Sequence, residues 1–247
     1  MAKQNSILPF TGKLGNLIGY RRNGKFYLRG MPEIVRQTVA TRRAARRFGM
    51  ASSRGALIRH AFYGELDVRA DKTHGNRLTK ALIPSAGNNI KGLTGFRFNK
   101  HTGIDRFFLL PPQFSADGIL HIPAQTLPVF KNITSLEVKV IATRINFETQ
   151  QVVAAESDIL LLDLRESFNG AVFSLDVPGN GTLVVALQIR GLQDNIPSRN
   201  TRYLAADIVA VQPPQTLEVI HKQTYPQPRN MSYTHYTHSQ PSIILRE

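Results

Sequence analysis

Cysteine and tryptophan are both absent from this sequence. Without thiols there are neither disulfides nor thiolate metal sites. No run of residues approaches the ~18 consecutive apolar positions that span a bilayer. The opening MAKQNSILPFTGKLG has no continuous apolar stretch and no small-residue cleavage site, as a secretory leader would need. A soluble product kept inside the cell, or packaged in a particle, is therefore expected. Acidic residues are also scarce, and unevenly so. Residues 1–110 hold 21 of the 31 Lys and Arg but only 5 of the 17 Asp and Glu, a net +16, while the remaining residues sum to −2. A diffuse solubility effect would not divide so sharply, and such a surface suits a polyanion or an acidic protein.

What is present divides by period. At 42% hydrophobic, the 247 residues can bury a sizeable core. No proline interrupts Arg36 to Phe62, and this stretch predicts one long helix, with Gly49 or Gly55 as places for a kink. At about 100° per residue, Arg36, Arg43, Arg47 and Arg54 fall near one line, and Arg42 and Arg46 widen the basic side. Ala40, Ala44, Phe48, Ala51, Gly55, Ile58 and Phe62 form a neighbouring apolar face, small enough for close packing. Before the helix, Asn23-Gly24 joins Leu17–Arg22 to Lys25–Arg29. That dipeptide is the strongest short hairpin signal, because a type I′ turn needs positive φ twice. The hairpin carries Arg21, Arg22, Lys25 and Arg29. A second helix is expected over Lys72–Leu82, and Ser85–Gly95 reads as a connection.

Beyond it the pattern alternates in twos. Strands are expected at Gly95–Asn99, Arg106–Leu110, Gly118–Ile122, Ser135–Phe147, Gln151–Ala154, Asp158–Leu164, Ala171–Val177, Thr182–Arg190 and Tyr203–Val211. Within the fourth, Leu136, Val138, Val140, Ala142 and Ile145 read as near one phase. Many short strands and frequent turns predict an antiparallel β-sandwich, Ig-like in size. The fold class expected is thus α+β, with a basic hairpin-helix arm over 1–90, a sandwich over 91–212 and an extended tail over 213–247. On this division residues 91–247 would fold alone. The tail ends in Ile243-Ile244-Leu245, an apolar triplet that could add to a sheet edge for self-association.

The hairpin and helix, GKLGNLIGYRRNGKFYLRGMP and TRRAARRFGMAS, resemble a family of uncharacterised Bacteroidetes proteins. Members of that family share a Gly-Lys-x-Gly hairpin, a Gln/Arg/Ala-rich helix and a following β-domain. The resemblance implies that general fold and a bacterial or bacteriophage source. It carries no assigned activity and so implies no site residues.

Catalytic chemistry is not signalled. Gly12-Lys13 lacks the upstream glycine and following Ser/Thr of a phosphate-binding loop, and no nucleophile sits in a G-x-S-x-G elbow. Asp158, Asp163 and Glu166 cluster in sequence but read as ordinary surface charge. His221, His235 and His238 have no carboxylate cluster nearby and read as solvated, so no metal or other cofactor is expected. The basic residues remain, with Arg36, Arg42, Arg43, Arg46, Arg47 and Arg54 almost without acidic neighbours at helical spacing. A solvated face is the plain alternative. The expectation is a non-enzymatic assembly protein that self-associates through arm and tail, its arm docking on a neighbouring subunit or on nucleic acid. A sequence-independent nucleic-acid binder is the second reading. No small-molecule substrate is indicated.

Overall fold

The computed structural model describes residues 2–5, 9–33, 37–67, 71–84 and 90–214, and Met1–Gln215 forms one compact unit apart from Thr216–Glu247. The class is mixed α+β, with two helices and three antiparallel sheets among the described residues.

The first sheet contains β1 (Ala2–Lys3), β2 (Gly12–Leu14), β3 (Leu17–Arg22) and β4 (Lys25–Gly30), in the order β1-β4-β3-β2. The predicted turn is there: Asn23 and Gly24 take φ of 49° and 77°. The Gln4 amide ties the sheet together. It donates to the carbonyls of Phe10 and Tyr27 at 3.1 and 3.0 Å and accepts from the Phe10 N–H at 3.0 Å. Tyr20 and Tyr27 stack with centroids 5.8 Å apart. None of these residues belongs to either of the two buried cores.

Helix α1 (Val39–Phe62) is uninterrupted at Gly49 and Gly55, and Thr38 caps it by accepting from the Thr41 N–H at 3.1 Å. Gly55 lets α2 (His74–Leu82) come close, since a Cβ there would lie 3.3 Å from Thr79 Oγ1. The strands that follow are β5 (Gln113–Phe114), β6 (Ile119–Ile122), β7 (Ser135–Asn146), β8 (Gln151–Asp163), β9 (Ala171–Ser174), β10 (Thr182–Gln193), β11 (Ile196–Pro197) and β12 (Leu204–Gln212). The large sheet runs β8-β7-β10, with β12 and the short β11 on the far side of β10. The third sheet is β5-β6-β9.

One face of the large sheet packs on the small one. Leu136, Val138, Val140 and Ala142 of β7 and Leu183, Val185, Leu187 and Ile189 of β10 meet Leu120, Ile122, Phe173 and Leu175 there. The other face packs on the helices, where Ile141, Ile145, Val184, Ala186, Ala206 and Ile208 meet Ala51, Ile58, Phe62, Leu78 and Leu82. A central strand covered on both faces needs a near-continuous apolar run, which β10 supplies. Its one buried amide, Gln188, accepts from the Asp67 N–H at 2.8 Å and so ties the turn after α1 to the sheet.

The structure corrects the strand assignments in several places. Ile145 faces the helices, because an odd position in β7 points away from Leu136 and its even-numbered companions. Arg106–Leu110 is not a strand: a 3₁₀ turn at Ile104–Arg106 lets the consecutive Phe107 and Phe108 both enter the core, which strict alternation forbids. Gly95–Asn99 contributes only an isolated bridge, Arg97 to Asp207. The two segments predicted within 151–164 are one strand, β8, with a register shift opposite Arg144 and Ile145.

Asp207 is the misfit of this core. Burial pushes its carboxyl up to about 6 from 3.8, despite the Ile104 N–H and Arg97 beside it, and its Oδ1 has no hydrogen-bond partner. A raised acid contributes stability below its ordinary value and loses it as pH rises through 6. Asp207→Asn, which keeps an acceptor for Ile104, is therefore expected to stabilise the protein by about 1–2 kcal/mol at pH 7.5 and by almost nothing at pH 4. Urea unfolding at the two pH values checks this.

Candidate functional site

The first half of α1 belongs to neither core, although Phe48 lines a small cleft with Gly75, Thr79 and Ile83 at α2. Thr41 through Met50 are exposed without exception, and Val39 and Phe48 are each 56% accessible. Burial begins at Ala51 and continues at Gly55, Ile58 and Phe62. The apolar face predicted from Ala40 to Phe62 is thus covered only in its second half. Ala40, Ala44 and Phe48 continue it into solvent.

Arginines surround this uncovered stretch. Among the described residues the side chains of Arg42, Arg43, Arg46 and Arg47 have no ion-pair or hydrogen-bond partner, and all four are exposed. Their placement is unfavourable for an isolated helix. Arg42 with Arg46, and Arg43 with Arg47, are like-charge pairs at i,i+4. They also lie towards the positive end of the helix dipole, with no acidic residue in the first turn. Arg54 is different: it is half-buried, with its guanidinium 5.5 Å from the Phe147 ring centroid. Arg36 lies outside the described residues, as do Ile243, Ile244, Leu245 and the three tail histidines.

The hairpin repeats the pattern. Arg21, Arg22, Lys25 and Arg29 are exposed, and Arg21 lies 5.5 Å from the Phe26 ring centroid. Strand pairing adds Lys3 on β1 and Lys13 on β2, both exposed, which the hairpin signal alone does not include. Their place became legible only with the strand order, which local pattern does not carry.

No family model matches this chain, and no curated protein or solved structure does. Guanidinium groups in this density are suited to bidentate pairing with phosphates or carboxylates, and the uncovered apolar row beside them is suited to packing.

The remaining candidates are bound up with the fold. A cleft of about 1050 Å³ lies beside the end of α1, walled in part by Arg59, His74, Asp71 and Arg190. Arg59 donates to the Gly55 carbonyl and Arg190 pairs with Asp67 at 3.1 Å. Asp158 and Asp163 lie on β8 and Glu166 follows it; all are exposed, and Asp163 accepts from the Arg165 N–H at 2.8 Å. Glu65 is held below the usual carboxylate range by its hydrogen bond from the Lys139 ammonium. No cluster of three metal-ligating side chains occurs among the described residues, and none of their helices is long and apolar enough to cross a membrane.

Proposed function

We propose that this chain is a non-enzymatic structural protein that assembles by docking its basic N-terminal arm on a neighbouring subunit. The two β layers, read as an Ig-like sandwich, are the building block. Filament, phage and nucleoprotein components share this plan, and the terminal Ile243–Leu245 is a second element of self-association. One observation carries the reading: the basic sheet and the first half of α1 lie outside both cores, with four arginines unpaired among the described residues. An apolar helix row exposed over about two turns, from Ala40 to Phe48, is suited to burial by a partner.

Size-exclusion chromatography with light scattering tests this, at low and high salt, before and after nuclease treatment. Large, nuclease-resistant particles are expected. A second reading, a sequence-independent nucleic-acid binder, draws on the predominance of arginine over lysine in the helix. It requires a monomer that co-purifies with nucleic acid. Binding would then weaken steeply with salt, by roughly 0.9 log units per phosphate neutralised. Changing Arg43, Arg46 and Arg47 to Gln would flatten that slope by about 2–3 units.

A further inference from the structure

We infer that one face of the N-terminal sheet is a binding site for an unpaired nucleic-acid strand, held by charge and by base stacking on Tyr20 and Tyr27. The site rests on the sheet alone and leaves the free half of α1 to the neighbouring subunit proposed above. Binding there does not depend on whether the chain assembles.

Strand register decides which side chains share that face. Residues paired across an antiparallel ladder point to the same side, as do residues two apart along a strand. Tyr20 pairs with Tyr27, Ile18 with Arg29 and Arg22 with Lys25. On the flanking strands, Lys13 pairs with Ile18 and Lys3 with Tyr27. Lys3, Lys13, Arg22, Lys25 and Arg29 therefore surround the stacked tyrosine pair on one face, and all five are exposed. No Asp or Glu occurs in the sequence before Glu33 to neutralise them.

The opposite face is already covered. Gly19 faces that way, and a Cβ on it would collide with the Phe10 carbonyl and ring. Gln4 holds Phe10 in this place, donating to its carbonyl at 3.1 Å and accepting from its N–H at 3.0 Å. Arg21 belongs to the covered side as well, paired with Phe26 across the ladder and with its guanidinium over that ring. The two neighbours Arg21 and Arg22 thus serve opposite faces.

Charge alone suits any polyanion, and the rings narrow the class. A sheet face that carries aromatic rings among cations stacks unpaired bases while the cations take the flanking phosphates. Here the tyrosine pair has a cationic row about 7 Å to either side along the strands, Lys13 with Arg29 on one and Arg22 with Lys25 on the other. A duplex keeps its bases stacked on one another and offers this face only phosphates. An acidic protein surface would likewise use the cations and not the rings. Every base has a π-face, so the binding is independent of sequence.

Fluorescence anisotropy of the full chain tests the site, with labelled oligothymidylate and oligouridylate of about 15 nucleotides and a duplex of equal length. The ratio between the two single strands shows which sugar is preferred. Tyr20→Thr with Tyr27→Thr keeps β-forming residues without rings. It should weaken single-strand binding about tenfold or more and leave duplex binding within about threefold. Tyr20→Phe with Tyr27→Phe retains both rings and should bind like the parent. Arg29→Gln should flatten the logarithmic salt dependence by about 0.7, whereas Arg21→Gln, with the same change of charge, should leave it unaltered. Equal effects of these two arginines would show that charge acts without regard to face and would overturn the site. A threonine variant that binds single strands as the parent does would remove stacking and the proposal with it. Binding of polyglutamate in place of both oligonucleotides at low salt would assign the face to an acidic protein instead.

Discussion

A chain beginning at residue 91 is expected to lose cooperative folding. The charge boundary near residue 90 invites that cut, but the apolar core beneath the helices draws on both sides of it. Removing α1 and α2 would open the large sheet over Ile141, Ile145, Val184 and Ile208, each buried to 2% accessibility or less. At about 1.5–3 kcal/mol per aliphatic side chain, that is roughly 6–12 kcal/mol. The whole stability of a domain is usually about 5–15 kcal/mol. The shortened chain should bind a hydrophobic dye and unfold without a sigmoidal urea transition. A chain beginning at residue 38 loses only the basic sheet, which lies outside both cores, and should unfold within a few degrees of the parent. A sharp transition in the 91–247 chain would mean that the helices cover the sheet without stabilising it.

The second large effect is expected at Asp71, where replacement by Asn should remove about 3–5 kcal/mol at pH 7. Its carboxylate is buried and accepts from the Thr73 N–H at 2.7 Å, Thr73 Oγ1 at 2.6 Å, Arg77 Nη2 at 2.5 Å and the Lys100 N–H at 3.2 Å. Arg77 donates onward to the carbonyls of Arg97 and Phe98 at 2.8 and 3.0 Å. One ion pair therefore joins the start of α2 to the segment that bridges β12. An amide would turn one donor toward this ring of donors and leave the guanidinium without its anion. Burial raises the Asp71 pKa, but the Thr73 hydrogen bonds and the Arg77 charge outweigh it and hold the carboxyl well below the usual range. A depressed acid contributes stability fully above its ordinary value and loses it as pH falls below that. The difference between parent and variant should be constant from pH 5 to 8 and shrink below about 4. A difference that grows as the solution is acidified would contradict this account.

Local chemistry made much of this fold legible and left its assembly into layers hidden. Asn23-Gly24 located the hairpin because few residues tolerate positive φ, and the proline-free arginine stretch located α1 to within three residues. Leu136, Val138, Val140 and Ala142 were placed on one face by alternation alone. The side that each face packs against depends on strand order, which is non-local. For that reason Ile145 read as a companion of Leu136, and β8 gave no sign of being an edge. The arginines of the arm were visible in composition, whereas the loss of cover at Phe48 was not. An apolar face looks the same in sequence whether or not anything lies on it. Asp158, Asp163 and Glu166 read as surface charge, and all three are exposed.

The continuity of α1 also bears on how the arm would meet the partner proposed for it. Starting a helix is the slow and unfavourable step, whereas extending one adds a hydrogen bond for each residue fixed. The packed turns from Ala51 to Phe62 act as a permanent nucleus, so the exposed turns only have to propagate from it. Repulsion between the paired arginines opposes that propagation, and an anionic surface relieves it. Contact and helix order therefore reinforce one another. If the arm docks on neighbouring subunits as proposed, a stiff projection would also fix the angle at which they are held, as a loose tether could not.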